Sequence, residues 1–290
     1  MKMGVTAVML PDLEFEEQVE LCVSLGVHYY QYRPRTIPES QKDAAWGNWG
    51  NHKFDLTPER FLEEGAELTR TLRAAGLEPW GTVPAVAVDA PDDELRMAFE
   101  GAARADARSV RVSPPNYPDE AFDYIEMLDR VTERLGGVIE SLSGPLGIRV
   151  IIETHCRSFA TSPALALNLC RPFSPDKIGV IFDMANFCQE GELAPTLAVS
   201  VLKDYIDCVH IGGSQRAVSG VDEFGSKILE NQMCTLSDGD LYVPDWLRAI
   251  AAAGIDPPLI VEDFTPNVSG AARLEQSARY LRRVLDGLSL

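Results

Sequence analysis

Four successive apolar runs in the second half of the chain each end in a residue able to bind a metal. Val150-Ile-Ile-Glu153 ends in a carboxylate, with His155 two residues on. Ile178-Gly-Val-Ile-Phe-Asp183 ends in Asp, Asp207-Cys-Val-His210 in His, and Pro258-Leu-Ile-Val-Glu262 in Glu. A short, continuous, β-branched run is the mark of a strand covered on both faces, as in a parallel sheet. In a parallel αβ barrel, consecutive strand ends converge on one face, and that face carries the active site. Taken singly, each terminal residue is no more than a polar group at a solvated strand edge. Four in a row, as Glu, Asp, His and Glu, point instead to one metal site.

The rest of the chain fits the same alternation. Strand one is predicted from Met3 to Met9, and a helix opens at Pro11-Asp12-Leu13, carries Phe15, Val19, Cys22 and Leu25 at helical spacing, and stops at Gly26. Val27 to Tyr32 reads as strand two. Arg33 to Asp55 is a long connection rich in Gly, Trp and Asn, and long ordered loops in compact domains are usually functional. Thr57-Pro58-Glu59 starts a helix that runs to Gly76, with Thr57 as N-cap and Pro58 at the first helical position. Strands follow at Leu77 to Val83 and Ser109 to Val112, with helices at Asp92 to Ala105 and Asp119 to Leu142. After the Val150 strand, a helix opens at Ser162-Pro163. Ile178 to Asp183 precedes a helix over Ala194 to Lys203, and Cys208 to Ile211 precedes a second long insertion, Gly212 to Leu241. Helices over Pro244 to Ala253 and Ala271 to Leu288 bracket the last strand, Leu259 to Glu262.

Eight strand–helix units in 290 residues imply a single (β/α)8 TIM barrel spanning 1–290, with long loops after strands two and seven. No Gly-x-Gly-x-x-Gly follows the first strand, which weighs against a dinucleotide-binding fold.

Charge narrows the partners. The formal net charge is -18 and no Lys/Arg cluster occurs, so neither nucleic acid nor an anionic membrane is expected to bind. No stretch approaches the roughly 20 apolar residues of a membrane span. The N-terminal apolar run is broken by Pro11 and reads as a strand rather than a signal peptide. Six scattered cysteines without a Cys-x-x-Cys pair suit a reducing, cytoplasmic compartment. Cys156, beside the proposed site, has no activating motif and reads as a semi-buried thiol.

Three carboxylates and one imidazole form a hard, mixed oxygen and nitrogen set. It suits one divalent ion, Mn²⁺ first, with Mg²⁺, Co²⁺ or Zn²⁺ as substitutes, and leaves positions open for substrate oxygens. Such an ion polarises a carbonyl and stabilises an enediolate, while Glu153, Glu262 or His155 moves a proton on the adjacent carbon.

Glu153, Asp183, His210 and Glu262, together with Glu153-Thr-His155, Ile181-Phe-Asp-Met-Ala-Asn186 and Val209-His-Ile211, resemble the metal quartet and flanking motifs of the xylose-isomerase-like barrel superfamily, which includes sugar-phosphate isomerases and epimerases. The resemblance implies a metal-dependent carbohydrate enzyme. Ketose 3-epimerases of that superfamily carry a His three residues after the Asp ligand, where this chain has Asn186, and a second Glu soon after the first, which is missing here. Their Arg six residues past the His ligand is matched by Arg216. The Glu-x-His pattern also resembles the large subunit of bacterial C-glycoside deglycosidases. There the His is the proposed base in a β-elimination from a 3-oxo-glycoside, and a small β-sandwich subunit is the partner. The sequence reading leans to that lyase, with a sugar or sugar-phosphate isomerase or epimerase as the alternative and an oligomer expected. A metal-dependent nuclease would need more ligands than four His allow, and a sugar-binding barrel without catalysis does not explain four intact ligands.

His155 is either a base or a residue that steadies a ligand. Asn186 and Arg216 are candidate donors to substrate oxygens, or loop caps. The Trp46/Trp49/His52 loop is a platform for a sugar or aglycone, or a packed lid; Trp46 and His52 are the assigned contacts. Arg33 and Arg35 bind phosphate or carboxylate, or form surface salt bridges.

Overall fold

The computed structural model describes residues 1–191 and 193–289, apart from the side chains of Phe187 and Cys188. The strands, in chain order, are β1 (Met3–Thr6), β2 (Tyr29–Tyr32), β3 (Glu78–Thr82), β4 (Ser109–Arg111), β5 (Arg149–Glu153), β6 (Ile178–Asp183), β7 (Ile206–Ile211), β8 (Gly213–Val221), β9 (Lys227–Cys234) and β10 (Leu259–Val261). All but β8 and β9 pair in parallel and close into one eight-stranded barrel, each strand beside its predecessor and β10 returning to β1. This is the expected (β/α)8 architecture.

Helices α1 (Phe15–Ser24), α2 (Pro58–Ala74), α3 (Asp92–Arg104), α4 (Tyr124–Val138), α5 (Gly144–Leu146), α6 (Pro163–Cys170), α7 (Met184–Glu190), α8 (Pro195–Leu202), α9 (Val243–Ala252) and α10 (Gly270–Leu288) complete the chain. Several begin where local chemistry demands. Thr57, Ser162 and Ser269 each accept a bond from the backbone N–H three residues on, so the first turns of α2, α6 and α10 are capped. Asp123 caps α4 in the same way, which moves its start from the expected Asp119 to Tyr124. After Val138 the chain widens into a π-helical stretch, Ile139–Ser143. Pro145 follows closely; it has no N–H to give and its ring crowds the preceding carbonyls, so a regular α-helix cannot run through it. The first strand ends at Thr6, and Ala7–Met9 turn into a 3-10 segment.

The interior is stacked in layers, because alternate residues of each strand face inward. Along β5 these are Arg149, Ile151 and Glu153. At the floor, Arg149 Nη1 lies 2.9 Å from Asp207 Oδ1, and Trp80 Nε1 donates to Asp207 Oδ2 at 2.9 Å. Gly179 on β6 makes room for this arginine, since a Cβ there would sit 2.5 Å from the guanidinium carbon. The middle layer is Val83, Ile151, Ile181, Cys208 and Ile260. The top layer is polar and is described below.

Two connections shape the mouth. The loop after β2 is long, as expected, and is fastened from within: Asn51 Nδ2 donates to the carbonyls of Lys42 and Ala44, and Arg35 binds the carbonyls of Trp49 and Gly50. The segment after β7, expected as an irregular loop, is largely the antiparallel hairpin β8–β9. Its turn is built by Asp222, whose Oδ1 accepts from the N–H groups of Phe224 and Ser226, and by Gly225 at φ +82°. Helix α7, absent from the sequence expectation, follows β6 directly. Among the described residues no helix is long and apolar enough to cross a membrane.

Asp207 is fully buried and depends on Arg149 for its countercharge. Arg149→Ala should therefore cost ~3–5 kcal/mol in urea unfolding, the usual penalty for stranding one half of a buried pair. A loss too small to resolve would show that the floor pair does not hold the barrel.

Candidate metal centre

The top layer gathers Glu153 from β5, Asp183 from β6, His210 from β7 and Glu262 just past β10. One ligand atom from each lies within 4.8 Å of all the others, and all but the partly exposed Glu262 are buried. Strand register puts them there: Asp183 pairs with His210 and His210 with Ile260. His210 Nδ1 sits 2.8 Å from Glu262 Oε2 and 3.4 Å from Glu153 Oε1. Its other nitrogen, Nε2, is 2.9 Å from Gln31 Oε1 on β2. An amide oxygen only accepts, so Nε2 carries the proton and Nδ1 is left for a cation. Asp183 is held from both sides: its Oδ1 accepts from the N–H of Asn186, and its own N–H donates to Thr154 Oγ1.

Three carboxylates this close cannot all be charged without a cation. Burial opposes the charge on Glu153, but Arg111 and His210 outweigh it and hold that carboxyl well below the usual range. Arg111 on β4 does so directly, with Nη1 2.5 Å from Glu153 Oε2. Burial and the neighbouring charges of Glu153 and Glu262 push Asp183 up to about 8. Burial also works against a charged His210, yet Glu262 and Glu153 together hold it up to about 10. Protons thus fill the place of a cation in this donor set. The residues fit a divalent ion.

A cavity of about 380 Å³ opens above the quartet. Besides three of the ligands it is walled by Trp49, Arg111, His155, Asn186, Met233 and Phe264, among others. Trp49 and Phe264 pack with ring centroids 4.9 Å apart and their planes tilted by 53°. His155 faces this space; its Nδ1 is 2.8 Å from the carbonyl of Cys156 and 3.8 Å from the Cys156 thiol. The bond to Cys156 raises it to about 10, with burial opposing and Glu153 assisting. Asn186 lines the cavity too. Its Oδ1 accepts from the N–H of Cys156 and from Gln189 Nε2, which leaves the amide nitrogen for a substrate oxygen.

Three expected substrate contacts lie elsewhere. Trp46 opens on a neighbouring depression with Asn48 and Arg273, and Trp49 takes the place at the cavity wall. His52 is buried, and its ring bonds to the carbonyl of Asn48 to hold the loop; burial keeps its pKa down at about 4. Arg216 is exposed on β8, where its backbone N–H bonds to Asp240. The hairpin itself reaches the cavity through Met233. Arg111, Gln31 and Met233 were not anticipated. Arg111 and Gln31 did leave a trace, as polar residues inside the apolar runs Val110–Val112 and Tyr29–Tyr32.

The family model described as "Xylose isomerase-like TIM barrel" matches residues 19–284, and the chain belongs to that family. Among solved structures it is similar to the IolI protein with a zinc atom (16% identity, TM-score 0.72, covering 99% of each chain). It is similar also to L-ribulose 3-epimerase (14%, 0.70, covering 100% of this chain and 96% of that one). A third is the 3-keto-D-glucoside 4-epimerase YcjR of E. coli (12%, 0.68, covering 98% and 99%). At these identities the likeness is one of fold. No curated protein matches the sequence significantly.

His210 and Asp183 hold protons near neutrality that an ion must displace. Metal binding should therefore release protons, and affinity should rise with pH across the neutral range. Calorimetry in buffers of different ionisation heat reads both; affinity independent of pH would refute the assignment. Glu153→Gln and His210→Ala should each lose the metal.

Proposed function

We propose that the protein is a divalent-metal-dependent isomerase or epimerase that transfers a proton on the carbon beside the carbonyl of a keto sugar. The observation that carries this reading is the pair Glu153 and Glu262. Both reach the His210 ring, one from β5 and one from beyond β10, so two carboxylates from separate strands converge on one small space. A bound divalent ion supplies Lewis-acid polarisation of the substrate's carbonyl and hydroxyl oxygens. The chain's own residues do the rest. One carboxylate takes the proton, and the other, or His155, returns it. Arg111 keeps Glu153 ionised in a buried place. Trp49 and Phe264 offer apolar faces to the sugar and exclude water, and the Asn186 amide is a donor for a hydroxyl.

The lyase to which the Glu153-x-His155 pattern leans begins with the same proton removal. Two things favour isomerisation or epimerisation over it. The cavity is at the small end of the ~300–1,000 Å³ range of ligand sites, a size for a monosaccharide rather than a sugar with a bulky aglycone. The named structural relatives quoted above include two sugar epimerases. Mn²⁺ as the native ion and a reducing, cytoplasmic setting belong to this reading; the five described cysteines counted as free support the latter. A small partner subunit belongs to the lyase reading alone, whereas self-association is compatible with either.

Incubation with Mn²⁺ in D₂O with free ketoses and 3-oxo-glycosides, followed by proton NMR, separates the two. Deuterium should enter beside the carbonyl with formation of an epimer or aldose. Aglycone release without either product would establish the lyase instead. His155→Ala should keep the metal while turnover falls roughly 10²-fold or more, the usual worth of a positioned acid or base; metal loss in step with activity would make it a supporting residue.

A further inference from the structure

The metal centre carries more positive charge than its ligands need. Arg111 is accounted for by Glu153. Arg33, at the end of β2, is not: its Nη1 donates to the carbonyl of Val83 at 2.6 Å, and its guanidinium carbon lies 5.6 Å from the centre of the Trp49 ring. Among the described residues no salt bridge reaches it, Nε is buried without a partner, and no bond within the chain takes up Nη2. Arg111 Nη2 binds the carbonyl of Pro84, the residue next to Val83. Two guanidinium groups are thus tethered to consecutive carbonyls, Arg111 in the wall of the cavity and Arg33 against Trp49, another of its wall residues.

Like charges placed together and partly desolvated repel, and without an opposing charge the arrangement is unfavourable. Stacking on Trp49 alone does not account for it, because a neutral side chain would pack there without the repulsion. Glu153 and Glu262 offset the two arginines only while they are free; an ion among the four ligands engages both. Three carboxylates with a divalent ion leave one negative charge, and two arginines turn that into one positive charge even before His155 is counted. The missing partner is one anionic group on the substrate.

We propose that Arg33, with Arg111 beside it, forms an oxyanion subsite at the rim of the metal centre, and that the substrate is an anionic sugar, a sugar acid or a sugar phosphate. This rests on the isomerase reading for the sugar, but not for the anion. A guanidinium fork matches two oxygens of a carboxylate or phosphate, and Arg33 is the specificity-determining residue because Arg111 is already engaged with Glu153.

Three probes of one skeleton test it: D-fructose, D-fructuronate and D-fructose 6-phosphate, titrated calorimetrically into the Mn²⁺-loaded protein. At least one anionic probe should bind roughly 10-fold or more tighter than D-fructose, the scale of a hydrogen bond to a charged group. The two anionic arms tell carboxylate from phosphate. Arg33→Met should abolish the preference, and Arg33→Lys, which keeps the charge and loses the fork, should retain part of it. Metal content and thermal unfolding of both variants check that the barrel is intact. D-fructose binding as tightly as both anions, no binding of either anion at millimolar concentration, or an undiminished preference in Arg33→Met would each overturn the subsite. Deuterium exchange is read separately. An anion preference without exchange on any ketose would remove the isomerase reading and leave the subsite standing.

Discussion

Three carboxylates brought within reach of one imidazole at the end of a barrel are the constraint from which the rest of the site follows. Buried like charges repel strongly in a medium of low effective dielectric. The chain answers in several ways at once. Arg111 neutralises Glu153, Gln31 fixes the His210 ring so that one nitrogen faces the carboxylates, and backbone and Thr154 bonds hold Asp183 in place. Burial and the neighbouring carboxylates raise Asp183 to about 8, and the carboxylates hold His210 up to about 10 against burial, so both carry protons at neutral pH. A group of this kind is costly to build into a fold, and a cation would relieve that cost.

The barrel supplies the rigidity this needs. Alternation along β5 puts Arg149, Ile151 and Glu153 at floor, middle and mouth of one interior. The floor pair of Arg149 and Asp207 closes the end away from the chemistry, and the aliphatic middle layer separates the two sets of charges. Glu153 therefore sits on a strand whose other inward residues are locked by packing and ion pairing, and its carboxylate is held at a fixed place. The outer walls of the cavity are by contrast on connections. Trp49 comes from the loop after β2, Met233 from the β8–β9 hairpin, Asn186 from the helix after β6 and Phe264 from the segment after β10. A fixed reaction centre with exchangeable walls is how one barrel serves many substrates.

The loop after β2 carries particular weight. Asn48 is bonded to Arg273 of α10, Lys53 to the carbonyl of Pro11, and Arg35 to the loop's own carbonyls. These bonds fix which tryptophan turns to the cavity. Trp46 and Trp49 are three residues apart and chemically equivalent, yet it is Trp49 that packs against Phe264 and Arg33.

By itself the amino-acid sequence determined the barrel and the four candidate metal ligands. A strand covered on both faces must be written as a continuous apolar run, and a ligand at its end must interrupt that run, so Glu153, Asp183, His210 and Glu262 stand out in one dimension. Helix starts at Thr57 and Ser162 were equally legible, because capping is a contact between residues three apart. What only the tertiary structure decided involves partners distant in the chain. Arg111 and Gln31 act on Glu153 and His210 from strands that meet them only when the barrel closes. The hairpin in 212–241 was hidden because both its faces are largely exposed, so no alternation between apolar and polar residues betrays it. Trp46, His52 and Arg216 were misplaced for a related reason: residue type shows that a side chain could bind a sugar, but the direction it faces is set by loop bonds to Lys42, Ala44 and Arg273 and by the register of β8 with β9.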